Sequence, residues 1–162
     1  MTIRIATVAD AAALAELARE TFVDAFGADN RPEDMAAYVA EVFGEAQQKR
    51  ELADPDVVTL VADAIAYAQL RRTAGSPHGE VELARFYVRR AHHGQGIAQA
   101  LMSAVLDAAR ALGGSTLWLG VWERNARAIA FYRKCGFVEV GAQPFLLGND
   151  LQRDLVMQRT NL

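Results

Sequence analysis

The stretch Val88-Arg89-Arg90-Ala91-His92-His93-Gly94-Gln95-Gly96-Ile97-Ala98 runs from a strand pattern into a helix pattern. The first N–H groups of a helix have no partner within it and lie at the positive end of its dipole. Glycines there remove the Cβ atoms that would hold an anion away. Such a turn is a ready cradle for phosphate. Arg89, Arg90, His92 and His93 add donors and positive charge beside it. A Walker loop needs Gly-Lys-Ser/Thr, and Gly96-Ile97-Ala98 does not supply it. A dinucleotide fingerprint needs a third glycine where Gln99 stands and an acid ending the next strand, where the nearest is Glu123. A lone Gly-x-Gly also serves any tight strand-to-helix turn, so the loop by itself decides little.

A second segment narrows the choice. Trp118-Leu119-Gly120-Val121-Trp122-Glu123-Arg124-Asn125 ends a strand, and Ala126 to Lys134 reads as a short helix stopped by Gly136. Asn125, Ala128, Phe131-Tyr132 and Gly136-Phe137 then recur in one order after the glycine loop. Together the two segments resemble the GNAT superfamily of acetyl-CoA-dependent N-acetyltransferases. Its phosphate loop reads Gln/Arg-x-x-Gly-x-Gly/Ala, and His93 to Ala98 fits that pattern except that His93 replaces Gln or Arg. Gln143 to Asp154 resembles the C-terminal strands of PaiA-like (spermidine/spermine acetyltransferase-like) members, and Arg19 through Gly27 resembles their first helix and loop. The similarity covers nearly the whole chain.

The resemblance implies direct attack of an amine on the acetyl thioester. A lysine-like amine has a pKa of about 10 and must lose its proton first. The family position of a glutamate base corresponds to Glu82, which is equally readable as an exposed polar residue; Glu80, two residues earlier, is the reserve. Tyr132 matches the family's general-acid tyrosine, although a core aromatic beside Phe131 is the plainer alternative. Asn125 would contact the cofactor or simply cap its helix. By the same resemblance the pantetheine arm would pair with main chain at Phe86, Tyr87 and Val88, and the pyrophosphate would rest on the loop from His93 through Gly94, Gln95, Gly96, Ile97, Ala98 and Gln99.

These residues need a scaffold to hold them. Residues 2–6 alternate as a first strand, and Thr7 to Asp10 forms a capping box before an amphipathic helix over about 8–26. Met35 to Phe43 gives a second apolar stripe, and a polar helical stretch ends before Pro55. Val57–Ala62 and Ile65–Leu70 read as a hairpin around Asp63-Ala64, which lacks the favoured Asn-Gly or Asp-Gly pair. Glu80–Arg89 is a strand, and Ile97 to Leu112 an amphipathic helix stopped by Gly113-Gly114. Thr116–Val121, Phe137–Gly141 and Leu151–Gln158 complete the strands. The pattern is mixed α/β. With the family likeness it implies a GNAT fold: one mostly antiparallel sheet of about seven strands, helices on both faces, and a bulged strand before the CoA loop.

Length and composition agree. The 162 residues suit one domain, 1–162. With 17 basic and 20 acidic side chains the net charge is −3, a poor basis for nucleic-acid binding. No apolar run reaches membrane-spanning length, and Met1 to Ile5 shows no export signal. A single cysteine, Cys135, makes no internal disulfide, which suits the cytoplasm. No metal site is expected, because His78, His92 and His93 lack completing ligands. Trp118 fits the core, and Trp122 fits either the core or an acceptor pocket. Asp24, Asp29, Glu33, Asp34 and Glu41 make the first helices acidic, which suits a cationic, polyamine-like amine. Alternatives are a protein N-terminus or lysine as acceptor, or a CoA-binding sensor without turnover. A homodimer is left open.

Overall fold

Seven strands form one sheet in the order β1-β2-β3-β4-β5-β7-β6. The computed structural model describes residues 1–162. The strands are β1 (Ile3–Ile5), β2 (Val57–Ala62), β3 (Ala66–Arg72), β4 (Val81–Val88), β5 (Leu117–Trp122), β6 (Val138–Leu147) and β7 (Asp150–Arg159). Every neighbouring pair is antiparallel except β4 and β5. The helices are α1 (Ala11–Phe26), α2 (Pro32–Val42), α3 (Glu45–Ala53), α4 (Ile97–Ala111) and α5 (Ala126–Lys134). This is the mixed α/β architecture expected from the sequence.

Alternation along the strands divides the core in two. Ala66, Ala68, Leu70, Val81, Leu83, Leu117, Leu119 and Val121 turn to one face, where Leu101, Val105 and Ala109 of α4 and Ile129 and Tyr132 of α5 cover them. Tyr67 and Val61 turn to the other face, against Leu14, Leu17, Ala18 and Phe22 of α1, with Met35 and Phe43 beside them. The capping residues behave as read: Asp10 accepts from Thr7 N at 2.8 Å and binds Arg4 through both oxygens, and a short 3-10 turn, Val8–Asp10, precedes α1.

Two turns show how they close, and one strand departs from the sequence expectation. The β2–β3 turn works without Asn-Gly because Asp63 itself adopts φ +47°, a conformation its short polar side chain tolerates. Strand β6 continues through Pro144 to Leu147 rather than ending near Gly141. It is the outermost strand, where a missing N–H leaves no second neighbour unpaired. Glycine at 148 lets the β6–β7 turn close onto α2: a Cβ there would lie 2.6 Å from the Asp34 Cα. The buried Asp34 carboxylate accepts from Asn149 N at 2.9 Å and so fastens the turn.

Candidate active site

The sheet opens between β4 and β5. They pair only at Val81/Leu117 and Glu82/Trp118. Beyond Glu82 the strands part, because β4 skips Ala84 in its pairing with β3: Leu83 faces Leu70 while Arg85 faces Gln69. A bulge of this kind bends its strand and sharpens the twist. The β4 edge from residue 84 to 88 therefore faces β5 without a strand partner. A cleft of about 850 Å³ occupies the opening.

One end of the cleft is the glycine loop. Gly94 and Gly96 both take φ +78°, in the left-handed region that a side chain resists. No backbone acceptor in the chain takes any N–H from Gly94 to Gln99, and no side chain caps α4. His93 braces the loop: its Nε2 lies 2.8 Å from the Val88 carbonyl and its Nδ1 2.6 Å from Arg127 Nη1. A guanidinium only donates, so Nδ1 accepts and Nε2 carries the hydrogen given to Val88. Arg90 is tied to the Asp24 carbonyl and lines the cleft, whereas Arg89 is engaged by Glu20 and Ala64 outside it. The arrangement presents free amides at a helix N-terminus beside two arginines, which suits a diphosphate.

Glu82 and Tyr132 line the cleft from opposite faces of the sheet. Glu82 makes no ion pair. Burial pushes its carboxyl above the usual range, and the positive charges of Arg71 and Arg85 only partly oppose this. Tyr132 packs edge-on against Phe86 and Phe137, and burial raises its phenol above the ordinary value. Arg85, on the Glu82 face, is locked by Glu51 at 2.6 and 3.1 Å, and it lies over the Phe43 ring. Burial pushes Glu51 up, but the Arg85 hydrogen bonds and charge, with Gln47 and Gln69, hold it below the carboxylate range overall.

The far end is aromatic and acidic. Phe26 meets Trp122 edge-on with ring centres 5.9 Å apart, and Tyr38 lies 5.5 Å from Phe145. Asp154, on β7, projects from the sheet beside Gln143 and Trp122, with which it is in register. It is 8% exposed, and burial alone raises its carboxyl to about 6.

Of the residues singled out from sequence, Glu82, Phe86, Tyr87, Val88, His93, Gly94, Gly96, Ile97, Ala98, Gln99, Asn125 and Tyr132 all line this one cleft. Gln95 does not; its side chain turns to His92 at 3.3 Å. Asn125 also caps α5, accepting from Ala128 N at 3.3 Å. Glu80 is separated from the site: it lies outside β4, exposed, and accepts from Ser115 Oγ at 2.5 Å. Trp122 lines the cleft, while Trp118 is buried with its Nε1 donating to Thr73. Among the acids of the first helices only Asp24 reaches the cleft. Asp154, Gln143, Tyr38 and Arg127 were missed. Asp154 had one signal, an acid among the apolar residues of a strand pattern, but the partner strand that aims it could not be read from spacing. No group of three or more His, Cys, Asp or Glu is placed to hold a metal.

The profile of the acetyltransferase (GNAT) family matches residues 12–137. An uncharacterized N-acetyltransferase of Mycobacterium tuberculosis is 37% identical over 154 residues, covering 93% of this chain and 97% of the relative. The N-alpha-acetyltransferase RimI of the same organism is 34% identical over 145 residues, 87% of this chain and 80% of that protein. The PaiA N-acetyltransferase of Thermoplasma acidophilum, solved with coenzyme A, superposes with a TM-score of 0.80 at 22% identity over 99% of both chains, a likeness of fold. The chain belongs to the GNAT family of N-acetyltransferases, enzymes that use acetyl-CoA as cosubstrate.

Proposed function

We propose that the chain acetylates a primary amine of a small cationic molecule, polyamine-like in its charge, as a PaiA-like member of its family would. The observation that carries this reading is the row of unpartnered N–H groups from Gly94 to Gln99 at the mouth of a cleft lined by Glu82 and Tyr132. Acetyl-CoA supplies a thioester whose carbonyl is open to attack. The loop amides from His93 to Gln99 bind the diphosphate, with Arg127 and Arg90 adding charge, and the free edge of β4 at Phe86, Tyr87 and Val88 pairs with the pantetheine amides. Asn125 holds the start of α5 against the same ligand.

An alkylammonium must lose its proton before it attacks. Glu82 accepts that proton, directly or through water. Its raised proton affinity, set by burial, narrows the gap to the amine whose proton it takes. Tyr132 places its hydroxyl at the departing sulfur and gives it a hydrogen bond as the C–S bond breaks. Any proton passed to the sulfur is restored to the phenol by the second proton that the nitrogen loses as it becomes an amide. The raised pKa of Tyr132 keeps the phenol protonated, and therefore a hydrogen-bond donor to the sulfur, throughout the neutral range. The Arg85 charge is matched by Glu51 at 2.6 Å, so Glu82 and Asp154 are the carboxylates at the acceptor end without an ion-pair partner.

A second reading has a specific support: the 34% identity to a protein N-alpha-acetyltransferase. A shallow depression of about 560 Å³ shares Asn30, Trp122, Gln143 and Gln152 with the acceptor end and offers a peptide a path. One experiment separates the two. The enzyme is given acetyl-CoA with a mixed pool of amines and short peptides, and products are identified by mass spectrometry. Acetylated small amines are expected. Exclusive acetylation of peptide N-termini would overturn the first reading in favour of the second.

A further inference from the structure

Asp154 is a buried carboxylate without a protein partner. No donor or cation of the chain engages it, and burial is the sole influence on its proton affinity. A buried charge is normally paired. This one faces the acceptor end of the cleft. Room for it depends on Gly120: a Cβ there would lie 3.2 Å from Asp154 Oδ2 and 2.8 Å from Gln143 Nε2. Phe26, Tyr38, Trp122 and Phe145 wall the same space with aromatic rings, which attract cations, and one face of Trp122 already carries the Arg124 guanidinium 5.9 Å from its ring centre. We infer that Asp154, with Gln143 and Trp122, forms a subsite for a second positively charged group of the acceptor, an ammonium remote from the amine being acetylated.

This rests on the transfer reading above and adds a length requirement to it. Glu82 is in register with Trp118, and Asp154 with Trp122, four residues further along β5. At about 3.3 Å per residue and about 4.8 Å per strand, their Cα atoms are roughly 16 Å apart. Both side chains leave the same face of the sheet, so their carboxylates stay on the order of 10–16 Å apart. A long diamine bridges it. A short diamine does not, and a monoamine lacks the second charge. The cation in the subsite gains a charge-assisted hydrogen bond and replaces the missing ion pair.

The test compares kcat/KM for octamethylenediamine, tetramethylenediamine and octylamine in wild type, Asp154→Asn and Asp154→Glu, alongside calorimetric binding of octamethylenediamine in the presence of CoA. Wild type is expected to prefer the long diamine over octylamine by about ten- to a hundred-fold, the range of one charge-assisted contact. Asp154→Asn should bring that ratio close to one and weaken diamine binding by the same factor, and Asp154→Glu should restore part of it. An unchanged ratio in Asp154→Asn, or a wild-type enzyme that does not distinguish the three amines, overturns the subsite. Absence of turnover with Asp154-dependent diamine binding upholds the subsite and refutes the transfer reading instead. Turnover without preference does the reverse.

Discussion

Glu51→Ala tests how the acceptor end keeps its sign. Glu51 and Arg85 are each about 10% exposed and joined at 2.6 and 3.1 Å, and the carboxylate also accepts from Gln47 at 3.0 Å and Gln69 at 3.1 Å. Removing one member of such a pair leaves a buried charge uncompensated, at a cost of about 3–5 kcal/mol. Urea unfolding should show that loss. Because Glu51 titrates below the usual carboxylate range, the stabilisation is full at neutral pH and fades as pH falls through its lowered pKa, so wild type and variant should converge in acid. The freed guanidinium also stands on the Glu82 face. It should shift the acid limb of the kcat/KM profile to lower pH and weaken binding of cationic acceptors. Replacing both residues, Glu51→Leu with Arg85→Met, should recover most of the stability, since an apolar pair of similar volume tolerates burial. A loss under about 1 kcal/mol in Glu51→Ala, or an unmoved pH profile, would refute the reasoning.

Further outcomes follow from other residues. Asp154 has its carboxyl raised to about 6, so the native state is favoured below the ordinary carboxylate pKa and loses that advantage as pH rises through 6. The full shift corresponds to about 3 kcal/mol, and screening by solvent in the cleft reduces it to about 1–2 kcal/mol; Asp154→Asn should melt higher than wild type at pH 8 and equally at pH 4 in calorimetry. Tyr132→Phe keeps the ring against Phe86 and Phe137; unfolding should change little, while the chemical step in single-turnover assays should slow about 100-fold or more. Glu82→Gln should lose a similar factor and remove the acid limb of the pH profile. Gly96→Ala forces a side chain to φ +78° and should cost about 1–2 kcal/mol in unfolding assays, with a raised KM for acetyl-CoA.

How much of this was legible beforehand varied with the kind of interaction. The glycine loop and the Asn125-to-Phe137 segment were readable because their chemistry is local: backbone amides at a helix start, and side chains at helical spacing. The run of strands was readable from alternation, except that β6 reaches past Gly141 and through Pro144, which its edge position permits and which is a property of the whole sheet. Only Trp122 was readable of the aromatic and acidic end of the cleft. Its carboxylate comes from β7, its aromatic walls from α1, α2, β5 and β6, and its arginine is silenced by a glutamate from α3. Of the acids that composition pointed to, only Asp24 reaches the cleft; Asp34 fastens the β6–β7 turn, and Asp29 sits outside the cleft. Glu80 and Glu82 are nearly equal in sequence, yet only the bulge at Ala84 and the parting of β4 from β5 give Glu82 the cleft.

The most direct measurement follows the backbone amide resonances of the protein during titration with coenzyme A. The account predicts saturable binding, with the largest shifts at the amides of Gly94 to Gln99 and along Phe86 to Val88. Binding that leaves those amides unmoved, or no binding at all, would contradict it.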